Sequence, residues 1–135
     1  MQEKLLKIIT ESKSLEDKLK QIANFFENKI VFSTSFGMED QVISHAIFSQ
    51  EIKNIEVFTL DTGRLFPETY SVWDKTQLQY NTKIKAFYPN SDTIEKYINE
   101  NGINAFYNSV ELRKECCFIR KVEPLNRALV GASIW

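Results

Sequence analysis

Apolar residues along this chain follow two different periods. Over residues 5–26 they recur every three or four positions, which predicts two amphipathic helices, with Ser14 and Asp17 as a capping pair before the second helix. Farther along, short runs rich in β-branched and aromatic residues predict strands at residues 30–33, 55–60, 83–88 and 132–135. Helical patterns separate successive strands. This alternation is typical of an α/β fold in which helices cover a parallel sheet.

The order of the elements predicts one domain with a Rossmann-like parallel sheet and helices on both of its faces. Residues 1–28 are expected to form N-terminal helices, and residues 29–135 to form the βα units. Asp92 with Glu95 should cap the helix after the third strand, and Gly102 should end it. The fourth strand has only begun where the sequence stops, so we expect a sheet that is incomplete at its C-terminal side.

The charge balance gives no reason to expect a nucleic-acid or membrane partner. Lysine and arginine number 17 against 18 aspartate and glutamate residues, for a net charge of -1, so no overall field attracts a polyanion. No segment has the roughly 20 apolar residues of a membrane span, and the first residues lack the apolar core of a secretion signal. We therefore expect a cytoplasmic protein without membrane or nucleic-acid partners.

The loops after the first two strands carry the candidate binding chemistry, because ligands of open parallel sheets bind at the carboxyl ends of the strands. The first loop combines hydroxyls, a glycine and a helix start, which together can hold an oxyanion. Its candidate residues are Ser33, Thr34, Ser35, Phe36, Gly37, Glu39 and Asp40. The second loop offers a guanidinium and backbone amides. Its candidate residues are Leu60, Asp61, Thr62, Gly63 and Arg64. Either loop taken alone is also compatible with ordinary turns and caps.

Two adjacent cysteines near the end of the chain are candidate metal ligands. A disulfide between Cys116 and Cys117 would strain the backbone, whereas two thiolates from one turn can ligate neighbouring irons of a cluster. A four-iron cluster needs four such ligands, and the chain contains 2 cysteines. Either the pair has another use, or the rest of its site lies elsewhere.

Three blocks in the chain, residues 33–42, 60–70 and 116–129, together resemble the adenylyl-sulfate and phosphoadenylyl-sulfate (PAPS) reductase family of the PP-loop group. The resemblance implies that the first loop faces the phosphosulfate and the second lies beside the adenosine. Family members with adjacent cysteines followed by Arg-Lys carry a [4Fe-4S] cluster and prefer adenylyl sulfate. It therefore implies that Cys116 and Cys117 bind metal and that Lys121, with Arg120, supports catalysis between cluster and sulfate.

Two features of that family are not found in this sequence: a second cysteine pair, which completes the cluster, and a Glu-Cys-Gly motif, which supplies the attacking thiol. The resemblance therefore predicts the N-terminal portion of a reductase, with no catalytic residue of its own, no bound cluster and no activity as a fragment. The intact parent is expected to reduce adenylyl sulfate (or PAPS) to sulfite and AMP with thioredoxin as electron donor. We also expect a homo-oligomer.

Two other interpretations remain open. The chain could be another PP-loop protein, such as an ATP pyrophosphatase or a sulfurtransferase, which would bind ATP more tightly than adenylyl sulfate. It could instead be a non-catalytic module that binds nucleotide or associates with itself through the exposed edge of its sheet. A strictly monomeric, well-folded protein would argue against self-association.

Overall fold

A parallel sheet organises the chain in the computed structural model, which describes residues 1–135. The helices are α1 Gln2–Glu11, α2 Leu15–Phe25, α3 Met38–Ser49, α4 Pro67–Tyr80, α5 Ser91–Asn101, α6 Val110–Cys117 and α7 Glu123–Ala128. The strands are β1 Lys29–Ser33, β2 Ile55–Leu60, β3 Lys85–Phe87 and β4 Ala132–Ile134. A 3-10 turn, Ala105–Tyr107, precedes α6, and a π-helical turn, Phe118–Val122, joins α6 to α7. None of the helices combines the length and the apolarity needed to cross a membrane.

The four strands lie in the order β3-β2-β1-β4, and each neighbouring pair is parallel. The predicted α/β fold is therefore confirmed. The third strand is shorter than the sequence predicts, because the amide of Ile84 donates to the side chain of Gln77 and the carbonyl of Tyr88 accepts from Arg127. These groups are used outside the sheet, so only Lys85–Phe87 pairs with β2.

Each face of the sheet packs against its own set of helices. On one face Ile30 and Val57 belong to a core that also contains Ile8, Phe26 and Ile47 of the first three helices and their flanks. Val31, Phe58 and Ala128 form a second core with Leu125 and Leu129 around it. Because successive strand residues point to opposite faces, neighbouring apolar residues of one strand supply both cores.

The helix ends test the predicted caps. Ser14 accepts a hydrogen bond from the amide of Asp17, at 3.1 Å, as predicted. The predicted cap of α5 is wrong: the side chain of Asn90 caps this helix by accepting from the amide of Thr93. Asp92 therefore lies inside the first helical turn, where the helix dipole stabilises its negative charge. Gly102 ends the helix with a φ of 98°, a left-handed conformation that glycine adopts without a steric penalty.

The π-helical turn lies directly after the cysteine pair. The amide of Glu123 donates to the carbonyl of Phe118, five residues earlier, and this bond defines the wider turn. Pro124 follows, and because it has no amide hydrogen, an α-helical bond to the carbonyl of Arg120 cannot form there. The widened turn moves Arg120 and Lys121 to positions that a regular helix would not give them, and such turns occur frequently at functional sites.

Candidate functional site

The largest of the cavities at the carboxyl ends of the strands lies against β1 and β2, with a volume of ≈ 440 Å³. It is lined by Ser33, Thr34, Ser35, Asp40, Thr59, Leu60, Thr62, Leu65, Thr69 and Lys121. Most of these side chains are hydroxyls, and Lys121 is the one cation among them. The lining therefore suits an oxyanion, which hydroxyls and a cation can hold together.

The loop after β1 is closed by its own side chains. The amide and the hydroxyl of Ser35 both donate to Oδ2 of Asp40, each at 2.7 Å. The hydroxyl of Thr34 accepts from the amide of Phe36, and the amide of Thr34 continues the ladder by donating to the carbonyl of Phe58. Asp40 thus closes the turn that precedes α3 and lies in the first turn of that helix, where the helix dipole favours a carboxylate, although the N-cap residue Gly37 has no side-chain cap.

Phe36 is the strained residue of this loop. Its φ is 64°, in the left-handed region that costs a non-glycine residue roughly 1–2 kcal/mol. The side chain is buried and its ring stacks on Trp73 at a centroid distance of 5.7 Å. Because packing holds the ring in place, the strained turn persists and α3 begins immediately behind the cavity, at Met38.

The loop after β2 is organised around a buried carboxylate. Oδ1 of Asp61 accepts from the amide of Gly63 and from the hydroxyl of Tyr70, each at 2.9 Å. Gly63 has a φ of 78°, so a side chain at this position would be strained. The hydroxyl of Thr62 accepts from the amide of Arg64. These bonds hold the turn in one shape and leave Thr62 at the wall of the cavity.

Tyr70 is 40% exposed, and the partial desolvation of its phenol raises the pKa above the ordinary value of 10.0; the hydrogen bond that the hydroxyl donates to Asp61 raises it further. A raised pKa means that the folded state binds the proton more tightly. The resulting stabilisation is complete below pH 10.0 and is lost as the pH rises through the raised pKa of Tyr70.

We therefore expect the stability advantage of the parent over Tyr70→Phe to shrink under alkaline conditions. The measurement is the free energy of unfolding of both proteins from neutral pH to above pH 10.0. Tyr107→Phe is the matched control, because that side chain makes no hydrogen bond and is 79% exposed, against 40% for Tyr70. An advantage over Tyr70→Phe that stays constant throughout this range would contradict the prediction.

A second cavity, of ≈ 260 Å³, adjoins the cysteine pair. It is lined by Thr62, Arg64, Phe106, Arg113, Cys116, Cys117, Arg120 and Lys121. Both thiols are free; that of Cys116 is buried and that of Cys117 is exposed. The lining contains four cationic side chains and no carboxylate, so it favours an anionic group beside the thiols.

Lys121 and Thr62 line both cavities. Arg120, one residue before Lys121, is buried and donates from Nη1 to the carbonyl of Thr62 at 2.6 Å. Lys121 therefore lies between the hydroxyl-lined cavity and the cysteines. What the sequence does not reveal is that Thr62 lines both cavities together with Lys121.

Arg64 lies on the far side of this wall. Its guanidinium donates to the carbonyl of Ile103 and to the side chain of Asn104, both at 3.1 Å. It also lies over the ring of Phe106, with Cζ 4.9 Å from the ring centroid. With these contacts Arg64 lines the second cavity, beside the cysteines, and does not line the hydroxyl-lined cavity.

Apart from Arg64, the predicted residues of the two loops divide into three groups. Ser33, Thr34, Ser35, Asp40, Leu60 and Thr62 line the hydroxyl-lined cavity. Phe36, Asp61 and Gly63 shape its loops, while Gly37 and Glu39 contribute no side chain to either cavity. Three residues that were not predicted also line the hydroxyl-lined cavity: Thr59, Leu65 and Thr69. Thr59 belongs to a strand and Thr69 to a helix, and only their position beside the two loops distinguishes them from ordinary core and surface residues.

The donor set around the cysteines fits one half of an iron–sulfur cluster site. Two adjacent thiols next to arginine and lysine side chains suit a thiolate-ligated, negatively charged group. No group of three or more histidine, cysteine, aspartate or glutamate side chains comes together. A four-iron cluster would therefore need two further ligands beyond those of residues 1–135.

Comparisons with known proteins agree with this arrangement. The sequence model of the phosphoadenosine phosphosulfate reductase domain matches residues 29–135. Adenosine 5'-phosphosulfate reductase of Burkholderia cepacia is 47% identical over 108 residues, which are 80% of this chain and 43% of the relative. The enzyme of the same name from Rhizobium meliloti is 50% identical over 125 residues, 93% of this chain and 46% of the relative. The chain spans about half the length of the curated relatives that it matches.

A solved structure shares the fold. The phosphate complex of phosphoadenylyl-sulfate (PAPS) reductase from Candida auris superposes with a TM-score of 0.76 at 24% sequence identity, covering 99% of this chain and 64% of that protein. At this identity the likeness concerns the fold, and it confirms the predicted α/β fold with a parallel sheet.

Proposed function

Since the chain belongs to the phosphoadenosine phosphosulfate reductase family, we propose that residues 1–135 form one nucleotide-binding unit of an enzyme that reduces adenylyl sulfate. The observation that carries this proposal is the shared wall of the two cavities. Lys121 and Thr62 line a hydroxyl-rich cavity on one side and a cation-rich cavity with two thiols on the other. Such an arrangement brings an oxyanion substrate and sulfur chemistry next to each other.

In the proposed complex, the phosphosulfate lies in the hydroxyl-lined cavity and the adenosine lies along residues 60–64. Ser33 and Thr34 offer hydroxyl groups, and Lys121 offers an ammonium group to the anion. A cation that contacts the oxygen bridging sulfur and phosphorus would stabilise the charge that develops as the bond breaks. Asp40 keeps the Ser35 turn closed through its two hydrogen bonds.

The cysteine pair supports adenylyl sulfate, and not its 3'-phosphorylated form, as the proposed substrate. Adenosine 5'-phosphosulfate reductase is the name of relatives that share 47% and 50% identity with this chain. The resemblance to this family implies that adjacent cysteines followed by Arg-Lys accompany a preference for adenylyl sulfate. We propose that Cys116 and Cys117 hold part of a [4Fe-4S] cluster in the whole protein, where the cluster would supply a negatively charged group beside the cations of the second cavity.

The reaction that we propose for the whole protein is thiol-dependent. A thiolate forms a bond to the sulfate sulfur while the S–O bond to the phosphate breaks, and AMP leaves with the electron pair. A second thiol then releases sulfite, and the disulfide that remains is reduced by thioredoxin. We assign Cys116 and Cys117 to the ligand role, so residues 1–135 alone should bind nucleotide without reducing it.

We further propose that the whole protein is cytoplasmic and a homo-oligomer. A reducing compartment agrees with the two free thiols. For residues 1–135 themselves, self-association is supported by β4, which lies at the edge of the four-stranded sheet with Val130 exposed beside it. Both statements are secondary to the proposed substrate and can be tested independently of it.

Isothermal titration calorimetry of the chain with three nucleotides tests the substrate. We expect adenylyl sulfate to bind at least about tenfold more tightly than ATP, a difference of roughly 1.4 kcal/mol. The 3'-phosphorylated form should bind more weakly than adenylyl sulfate. Tighter binding of ATP would contradict the proposal and favour a PP-loop ATP pyrophosphatase, and tighter binding of the 3'-phosphorylated form would overturn the substrate preference alone.

A further inference from the structure

Arg120 has an unusual environment for a charged side chain. It is 7% exposed, and its Nη1 donates to the carbonyl of Thr62. Its Nε has no hydrogen-bond partner, and none of the three ion pairs of the chain includes it. A guanidinium has five N–H donors, and burial without a carboxylate partner is costly. The fold therefore retains a destabilising charge at this position.

Arg120 contacts the loop after β2 at two consecutive residues, Thr62 and Gly63. Besides the bond to the Thr62 carbonyl, Nη1 would lie 3.2 Å from a Cβ placed on Gly63. The guanidinium thus packs against the backbone of the turn at the point where φ of Gly63 is positive. A glycine there permits both the turn and the approach of the arginine.

The same side chain lies at the centre of the site. Arg120 lies in the π-helical turn, directly before Lys121, and this turn follows Cys116 and Cys117 at the end of α6. Its hydrogen bond crosses from this turn to the loop after β2, over a sequence separation of 58 residues. By contrast, the side-chain hydrogen bonds of Asp61 and Thr62 stay within residues 61–70.

We propose that Arg120 is a positioning residue that holds Thr62 on the wall shared by the two cavities. The choice of adenylyl sulfate as the ligand in this inference rests on the proposed function. The effect of Arg120 on the turn itself can be measured without any ligand. Arg120 itself does not line the hydroxyl-lined cavity. It acts through its hydrogen bond to the carbonyl of Thr62. Its charge is retained because the second cavity, which Arg120 lines beside the cysteines, takes an anionic group that a neutral donor would not balance.

The test measures adenylyl-sulfate binding by calorimetry in Arg120→Met and Arg120→Lys. Arg120→Met should bind at least about tenfold more weakly, the loss expected for one charged hydrogen bond. Arg120→Lys should bind within about threefold of the parent, because an ammonium can still donate to one carbonyl. Lys114→Met, which removes an exposed cation of α6 that lines neither cavity, should stay within about twofold.

Amide hydrogen exchange provides the readout that needs no ligand. In the parent, the amides of Gly63 and Arg64 donate to Asp61 and Thr62. If Arg120 holds the turn, both amides should exchange at least about tenfold faster in Arg120→Met, while amides of β2 keep the parent rate. A general loss of packing would instead accelerate exchange across the sheet, and that result would overturn a specific positioning role.

Gly63→Ala disturbs the same contact from the other side, because the added methyl group would meet Nη1 and the backbone would be strained. If Arg120 acts through this turn, the losses of affinity in Gly63→Ala and Arg120→Met should overlap, and the double variant should lose less than their sum. Full additivity would contradict the proposal. Should Arg120→Met fail to fold, Arg120→Lys and Gly63→Ala still decide the question.

The two proposals fail in different ways. If the parent does not bind adenylyl sulfate, the proposed function fails, and exchange at Gly63 and Arg64 still decides whether Arg120 positions the turn. If the parent binds adenylyl sulfate and Arg120→Met binds it equally well with unchanged exchange at both amides, the positioning role is wrong and the proposed function stands.

Discussion

Replacement of Lys121 by methionine should weaken adenylyl-sulfate binding about thirtyfold or more, since one charged hydrogen bond to an anion contributes about 2 kcal/mol. Lys121 is the one cation that lines the hydroxyl-lined cavity, and it forms no ion pair within the protein. Its ammonium group is therefore free to contact the phosphosulfate. Methionine keeps a long unbranched stem, so the packing of the π-helical turn should change little.

Calorimetry with adenylyl sulfate and with adenosine makes this result specific. Adenosine carries neither phosphate nor sulfate, so its affinity should change less than about twofold in Lys121→Met. Lys114→Met removes an exposed cation from the same helical segment without touching either cavity, and it should bind both ligands like the parent. Equal losses for adenosine and adenylyl sulfate would show that Lys121 maintains the fold of the site and does not contact the anion.

Phe58→Ala should lower the free energy of unfolding by about 3–5 kcal/mol, the range for truncating a buried phenylalanine. Phe58 is 0% exposed in the middle of β2, and its ring meets that of Phe87 edge to face at 5.6 Å. It packs with Val31 and Ala128, so its loss leaves a cavity between the sheet and α7. A domain of this size has a total stability of roughly 5–15 kcal/mol, so the variant should be marginal.

Urea denaturation of the two proteins measures this difference, with Phe66→Ala as the matched control. Phe66 is 76% exposed just before α4, and its truncation should change the unfolding free energy by less than about 0.5 kcal/mol. If Phe58→Ala unfolds at the same urea concentration as the parent, the second core does not stabilise the sheet as its burial indicates. Similar losses in both variants would point to a general effect of removing phenylalanine.

The strands were predictable because their apolar residues are contiguous and serve both faces. Val31 and Ile30 are neighbours in sequence yet enter different cores, so β1 reads as a short apolar run without alternation. The third strand was predicted too long for a reason that the local pattern does not contain. The groups that end it are bonded by Gln77 and by Arg127, which are distant in sequence or belong to another element.

The helix caps show the same division at smaller scale. Ser14 was recognised because its partner Asp17 lies three residues away, within reach of any local pattern. Asn90 was missed in favour of Asp92, because both residue types cap helices and only the backbone conformation at Asn90 decides which one does. Pattern alone cannot choose between two polar residues that are two positions apart.

The amino-acid sequence by itself determined the order of the βα units and the residue types of both loops, because period, turn chemistry and short motifs are properties of neighbours along the chain. Its resemblance to the reductase family also predicted that Cys116, Cys117 and Lys121 belong to one site. Only the tertiary structure decided that Lys121 and Thr62 share a wall and that Arg120 is bonded to the loop 58 residues earlier. Such contacts join segments that meet only when the sheet forms, so no local pattern records them.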